Sequence, residues 1–184
     1  RDLRRFAATC RVVRGLRGAR FGMLGARPAA FTTVRYSEKL LEKAGISVEV
    51  LDLSEAFGRA NRLAGDDPAV VDKLAALRAY VPTPGIPTEA LLKMARLALV
   101  TERWMEENEL VATAVQCWTA IEKFYGIVPC SVMSQLSDSG CPSACEVDVC
   151  GLIGMLALQF ASETPSALLD WNNNYGDDPN KAVG

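Results

Sequence analysis

Histidine is missing from all 184 residues of this chain. The absence removes the side chain that most often serves as a general base near neutral pH and as a transition-metal ligand. A Ser–His or Cys–His nucleophilic pair is excluded within this sequence. Long apolar runs are missing too. The longest candidate, residues 149–161, is interrupted by Gln159 and falls short of the roughly 18 residues of a membrane span. Nor is there an excess of either charge: 20 basic against 22 acidic residues leave a net charge of −2 and a pI near 5.3, without the basic surface that nucleic acids require. Neither a nucleic acid nor a membrane is therefore expected as a partner. The opening is rich in arginine (Arg1, Arg4, Arg5, Arg11, Arg14), but no apolar signal segment follows it. Six cysteines sit mostly among apolar neighbours, so a cytoplasmic protein with reduced, buried thiols is expected.

What is present is an ordinary globular composition, 49% hydrophobic and 23% charged. The length suffices for one domain, or one domain and part of another. The chain does not open with Met, and residues 172–184 are a polar, asparagine- and glycine-containing run. A fragment of a longer protein is expected.

Apolar positions Leu3, Phe6, Ala7, Cys10, Val13 and Leu16 recur at helical spacing. Residues 20–25 read as a short buried strand, 33–44 as a helix stopped by Gly45, and 46–52 as an alternating strand. Ser54 is expected to cap the next helix. Strand, helix, strand in this span is a βαβ unit, which calls for a parallel sheet. Further helices are expected over 68–81, 88–108, 119–124, 130–138 and 147–162, with strands over 110–116, 142–145 and 166–170. The expected fold is α/β: a doubly wound, Rossmann-like parallel sheet of four or five strands with helices on both faces. Residues 1–164 form that domain, and 165–184 begin another.

Ligands of open parallel sheets sit outside the carboxyl ends of the strands. Arg27, Gln116, Glu146 and Asp170 all fall at such ends. For Glu146 the alternative is capping of the following helix at its positive end; for Asp170, opening a turn. Trp118 and Trp171 lie just beyond strand ends, where a sugar could stack, whereas Trp104 sits at helical spacing and reads as core. Gly15, Gly18, Gly22 and Gly25 lack the dinucleotide-loop spacing. Cys141, Cys145 and Cys150 have no second pair of zinc-ligand spacing, and read as core thiols.

The run Ala144-Cys145-Glu146-Val147-Asp148-Val149, followed by an apolar helix and Leu169-Asp170-Trp171, resembles the L-fucose isomerase family and its fucose/arabinose isomerase-like relatives. Phe21-Gly22-Met23-Leu24-Gly25-Ala26-Arg27-Pro28, Gly45-Ile46-Ser47-Val48, Asp52-Leu53-Ser54-Glu55 and Gln116-Cys117-Trp118 support it. The resemblance spans essentially the whole chain, as the family's middle α/β domain and the start of its C-terminal domain. It implies aldose–ketose isomerisation of a monosaccharide through an enediol, with a divalent ion, usually Mn²⁺, and homo-oligomeric assembly. It further implies that Glu146 and Asp170 are both metal ligands and the catalytic acid/base pair and, more loosely, that Gln116 lies in the sugar pocket; Trp118 and Arg27 are substrate-binding candidates by position alone, Arg27 reading otherwise as a surface cation. The family's third ligand is a histidine further downstream, so this chain alone is expected to be inactive. The reading of another class is a non-catalytic α/β module that binds carbohydrate or serves as a scaffold.

Overall fold

The computed structural model describes residues 2–169. Its elements run α1 (Asp2–Leu16), β1 (Arg20–Leu24), a 3-10 turn (Thr32–Val34), α2 (Glu38–Lys43), β2 (Ser47–Leu51), α3 (Leu53–Asn61), α4 (Pro68–Tyr80), α5 (Thr88–Glu107), β3 (Ala112–Val115), a π-helical stretch (Cys117–Tyr125), α6 (Cys130–Asp138), β4 (Ser143–Ala144) and α7 (Val149–Ser162). The four strands form one parallel sheet in the order β2-β1-β3-β4. The chain moves outward from β1 to β2, then returns to place β3 on the other side of β1. That reversal makes the β1/β3 boundary the topological switch point, where the crevice for a ligand opens in such sheets.

The inner strands β1 and β3 are short and largely apolar because both of their faces are covered, whereas the edge strand β2 leaves Val50 exposed. Alternation sends Leu24, Leu51 and Val115 to a core shared with α3, α4, α5 and α6. Phe21, Ala112 and Ala114 go to a second core, closed mainly by α7 with Leu41 of α2 and Leu16 of α1. Trp104 belongs to the first core, as its spacing indicates, and it dictates Gly22. A Cβ at that position would lie 2.6 Å from the indole, closer than any packed carbon tolerates. Between β3 and β4 the buried Thr113 hydroxyl donates to the Ser143 hydroxyl at 2.9 Å, and the Ser143 amide donates to Ser137 Oγ at 3.0 Å. These bonds satisfy buried polar atoms and hold a two-residue strand in place.

Four expectations are corrected. Residues 33–44 are not one helix: backbone at Arg35 and Ser37 is extended, and Tyr36 packs against the α7-side core with its hydroxyl on Met23 Sδ and Glu38. Helix α3 is capped by Asp52, whose carboxylate accepts from the Ser54 amide at 2.7 Å, and not by Ser54 itself. Residues 166–169 form no strand. Ser166 Oγ donates to the Met155 carbonyl and Leu168 packs into the α7-side core, so helix packing satisfies the apolar alternation that read as sheet. The thiols, finally, are not mostly buried: Cys10, Cys130 and Cys150 are exposed, Cys141 and Cys145 half-buried, and Cys117 buried, with no disulfide among them. Cys10 follows from its helix, since α1 lies on the surface and buries none of its residues. Among the described residues no helix is long and apolar enough to cross a membrane.

Candidate functional site

The carboxyl ends of β1, β3 and β4 lie side by side, and each continues into a segment that carries a residue singled out from the sequence. After β1 the backbone turns at Gly25, where φ is +89°, a conformation open to glycine at little cost. The Ala26 amide then donates to Gln116 Oε1 at 2.8 Å. A Cβ on residue 25 would lie 2.5 Å from that same oxygen. Gln116 thus bridges the two strands that flank the switch point, and its side-chain carbonyl is used in holding the loop after β1.

Arg27 is a loop organiser. Its Nη1 donates to the carbonyls of Pro28, Ala29 and Phe31 at 2.9, 3.3 and 3.1 Å, which curls residues 28–31 around the guanidinium. Phe31 so placed meets Trp118 edge-on, with ring centroids 5.4 Å apart. Trp118 remains 49% exposed, so one of its surfaces is left to solvent beside the crevice. Sequence reasoning missed Phe31, which carries no pattern of its own; only the arginine-pinned loop brings it there.

Glu146 follows β4 in a tight turn. The Asp148 amide donates to the Cys145 carbonyl at 3.0 Å, and both central residues are left-handed, Glu146 at φ 58° and Val147 at φ 59°. Turns of this class favour Asn-Gly, and a β-branched residue there is an outlier. Val147 compensates by burying its side chain in the α7-side core, 1% exposed, and by donating its amide to the Val115 carbonyl at 3.2 Å. The capping alternative for Glu146 is resolved in favour of its neighbour: Asp148 caps α7, accepting from the Gly151 amide at 2.8 Å. The sequence signal was available, an aspartate immediately ahead of the apolar run of the helix. Glu146 is half-buried at this end of the sheet.

Beside the turn lies Cys117, whose thiol is pushed down to about 6 from an ordinary 9.0. The main cause is a hydrogen bond from the Cys145 thiol; burial opposes it, the Glu146 amide adds to it, and the Glu146 carboxylate opposes it again. The ends of β3 and β4 therefore bring two thiols and a carboxylate together, a juxtaposition that sequence spacing of 28 residues cannot announce. A cavity of about 690 Å³ opens on the free edge of β4, lined among others by Tyr80, Ser134, Cys145 and Ser166. It reaches Cys145 but stands apart from Gln116 and Trp118.

Asp170 and Trp171 lie outside the described residues. The chain does return toward this end of the sheet just before them, since a Cβ on Gly151, in the first turn of α7, would lie 2.8 Å from Leu168 Cδ2. Among the described residues no group of three or more Cys, Asp or Glu could hold a metal ion. Glu146 offers one hard carboxylate, and the thiols beside it are soft donors that a Mn²⁺-class ion does not select. On the described residues alone, the donor set does not make such a site.

Curated proteins named sulfoquinovose isomerase are similar to this chain. That of Priestia megaterium is 27% identical over 150 residues, which cover 81% of this chain and 33% of the relative. That of Alkalicoccus urumqiensis is 24% identical over 151 residues, covering 82% and 34%. One from a Clostridium species is 27% identical over 141 residues, covering 76% and 31%. The chain spans about a third of the length of the curated relatives it matches. No protein-family model matches it. The similarity supports a sugar-isomerase relationship, and not the L-fucose isomerases in particular.

Proposed function

We propose that this chain is the α/β part of an aldose–ketose isomerase acting on a monosaccharide, with Glu146 as its proton-transferring carboxylate. One observation carries the reading. A glutamate occupies a left-handed backbone position at the carboxyl edge of the sheet, while the adjacent Asp148 performs the capping that a merely structural acid would perform. Strained backbone of this kind is retained where the surroundings over-determine it, and it clusters at functional sites. The relatives' name supplies the reaction class.

Isomerisation of an aldose removes a proton from C2, leaves the electron pair in a C1–C2 enediol, and returns a proton to C1 while the hydroxyl proton moves from O2 to O1. No net oxidation occurs. A carboxylate suits this shuttle, because it can take up a proton and return it from one fixed position. Trp118 offers an apolar face to a sugar ring, and Gln116 and Arg27 act by positioning the loop that supports it. A divalent ion of the Mn²⁺ class, when bound, polarises the carbonyl; it would need donors beyond the described residues, and Asp170 is proposed as the one nearest in sequence. Assembly with further copies and further chain completes the pocket in this reading.

The test is Glu146→Gln in a longer protein that contains this domain. Turnover of an aldose, sulfoquinovose included, is expected to fall by about 10²-fold or more, with an unchanged far-ultraviolet circular dichroism spectrum. Full turnover in that variant overturns the assignment of Glu146.

A further inference from the structure

Most of the apolar positions that recur along α1 at helical spacing do not pack on this domain. Leu3, Phe6 and Val13 are 85%, 69% and 54% exposed, and Cys10 is exposed beside them. Steps of three and four residues set all four on one stripe. The opposite face does the packing. Ala8, Arg11, Val12, Gly15 and Leu16 are half-buried, and a Cβ on Gly15 would overlap the Phe160 ring. Arg11 donates to the Phe160 and Ala161 carbonyls at 2.8 and 3.0 Å and pairs with Glu163 at 3.2 Å. These contacts fix the roll of α1 on α7, so the stripe is held outward. A cavity of about 310 Å³ opens on the same side, lined by Thr9, Cys10, Val13, Arg14 and Arg17. The surrounding charge has one sign. Residues 1–17 hold six arginines and one aspartate, a net +5; with −2 for the whole chain, the remainder carries −7. Among the described residues Arg11, Arg20, Arg59 and Arg96 each face a glutamate, whereas Arg4, Arg5, Arg14 and Arg17 make no ion pair.

We propose that the outward face of α1 docks on the acid-rich body of a second copy of this chain, each copy lending its α1 to the other about a two-fold axis. Two α1 helices laid against one another would set +5 against +5, which Coulomb repulsion disfavours. The complementary negative surplus lies on the rest of the same chain, so a second copy supplies the surface that the arginines lack at home. A helix of 15 residues is about 22 Å long, and one such face is small against the roughly 800 Å² per partner of a specific dimer. Two-fold reciprocity makes the contact twice. Removing Phe6, Leu3 and Val13 from water supplies the attraction, and the arginines set orientation and encounter rate. The surface belongs to the fold itself and does not depend on any sugar chemistry.

The experiment is sedimentation velocity of the reduced 184-residue chain over a series of protein concentrations. A monomer–dimer equilibrium is expected, weakened by added salt. Phe6→Glu and Arg14→Glu should each raise the dissociation constant by about 10-fold or more. Because α1 buries none of its residues, both variants are expected to keep the fold, and far-ultraviolet circular dichroism checks this. Alkylation of Cys10 by N-ethylmaleimide, mapped by peptide, should slow as the protein concentration rises. A chain that stays monomeric throughout overturns the proposal, as does a dimer that Phe6→Glu leaves intact. A short bismaleimide that joins Cys10 to Cys10 would show α1 facing α1 and overturn it too. So would a monomer that floats with phosphatidylserine–phosphatidylcholine vesicles, since the face would then belong to an anionic bilayer.

Discussion

Replacing Glu146 by glycine separates a strained functional residue from a structural one. A non-glycine residue in the left-handed region costs about 1–2 kcal/mol, and Glu146 sits there at φ 58°. Glycine removes that cost but gives back about 0.5–1 kcal/mol through the greater freedom of the unfolded chain. The backbone contribution alone is a gain of about 0.5–1 kcal/mol, which for a chain of this size raises the unfolding midpoint by about 1–4 °C. Glu109 calibrates the number. It lies at φ 54° just past α5, exposed, in a helix-ending turn where the Leu110 amide reaches back to the Met105 carbonyl at 2.9 Å. Glycine is the usual residue at that position, so Glu109→Gly should stabilise by about 1 kcal/mol. Thermal unfolding of the two variants and the unmodified chain, followed by circular dichroism, makes the comparison. Both midpoints are expected to rise, and Glu146→Gln, which keeps the strain, to stay within about 1 °C of the unmodified chain. A fall in the midpoint for Glu146→Gly beside a rise for Glu109→Gly would refute the reasoning, because the Glu146 side chain would then be holding the fold together.

Gln116→Ala should remove about 1 kcal/mol and speed hydrogen exchange at the Ala26 amide, read by NMR; unchanged protection there would show that the bridge between β1 and β3 is not made in solution. Leu152→Ala, which empties a fully buried position in the α7-side core, should cost about 2–5 kcal/mol by urea unfolding. Asp52 has its acidity increased by the Ser54 hydroxyl and amide. Its native-state proton affinity is therefore lower than in the unfolded chain, so its contribution is present above the unfolded value of about 3.8 and is lost as the pH falls through the native one; Asp52→Ala should flatten the acid limb of the stability curve. Manganese titrated into this chain alone, followed by electron paramagnetic resonance, should bind no tighter than about the millimolar range, because the described residues do not complete a shell.

Local patterning was enough to place most of the helices among the described residues, and the parallel sheet, but not the break that shortens α2. Helix α5 and strand β1 announce themselves because 3.6- and 2-residue patterns are local properties of burial, and a strand–helix–strand order leaves few topologies open. The same local logic failed at residues 166–169, because an apolar alternation can be satisfied by packing on α7 as well as by a ladder. It also failed at residues 35–37, where Tyr36 is held against the α7-side core by contacts distant in sequence. Glu146 was legible as a carboxylate at a strand end, but its left-handed backbone was not, since nothing in Cys145-Glu146-Val147-Asp148 resembles the Asn-Gly that such a turn prefers. That conformation is imposed by long-range contacts: Val147 buried in the α7-side core, its amide on Val115, and Asp148 on the first turn of α7. The contact of Cys117 with Cys145, the use of Gln116 to fasten Ala26, and the Phe31 support beneath Trp118 likewise depend on which strand ends become neighbours. Residue types and local patterning determined the elements and the candidate chemistry; strand order decided which side chains meet, because that proximity is a property of the sheet and of no single segment.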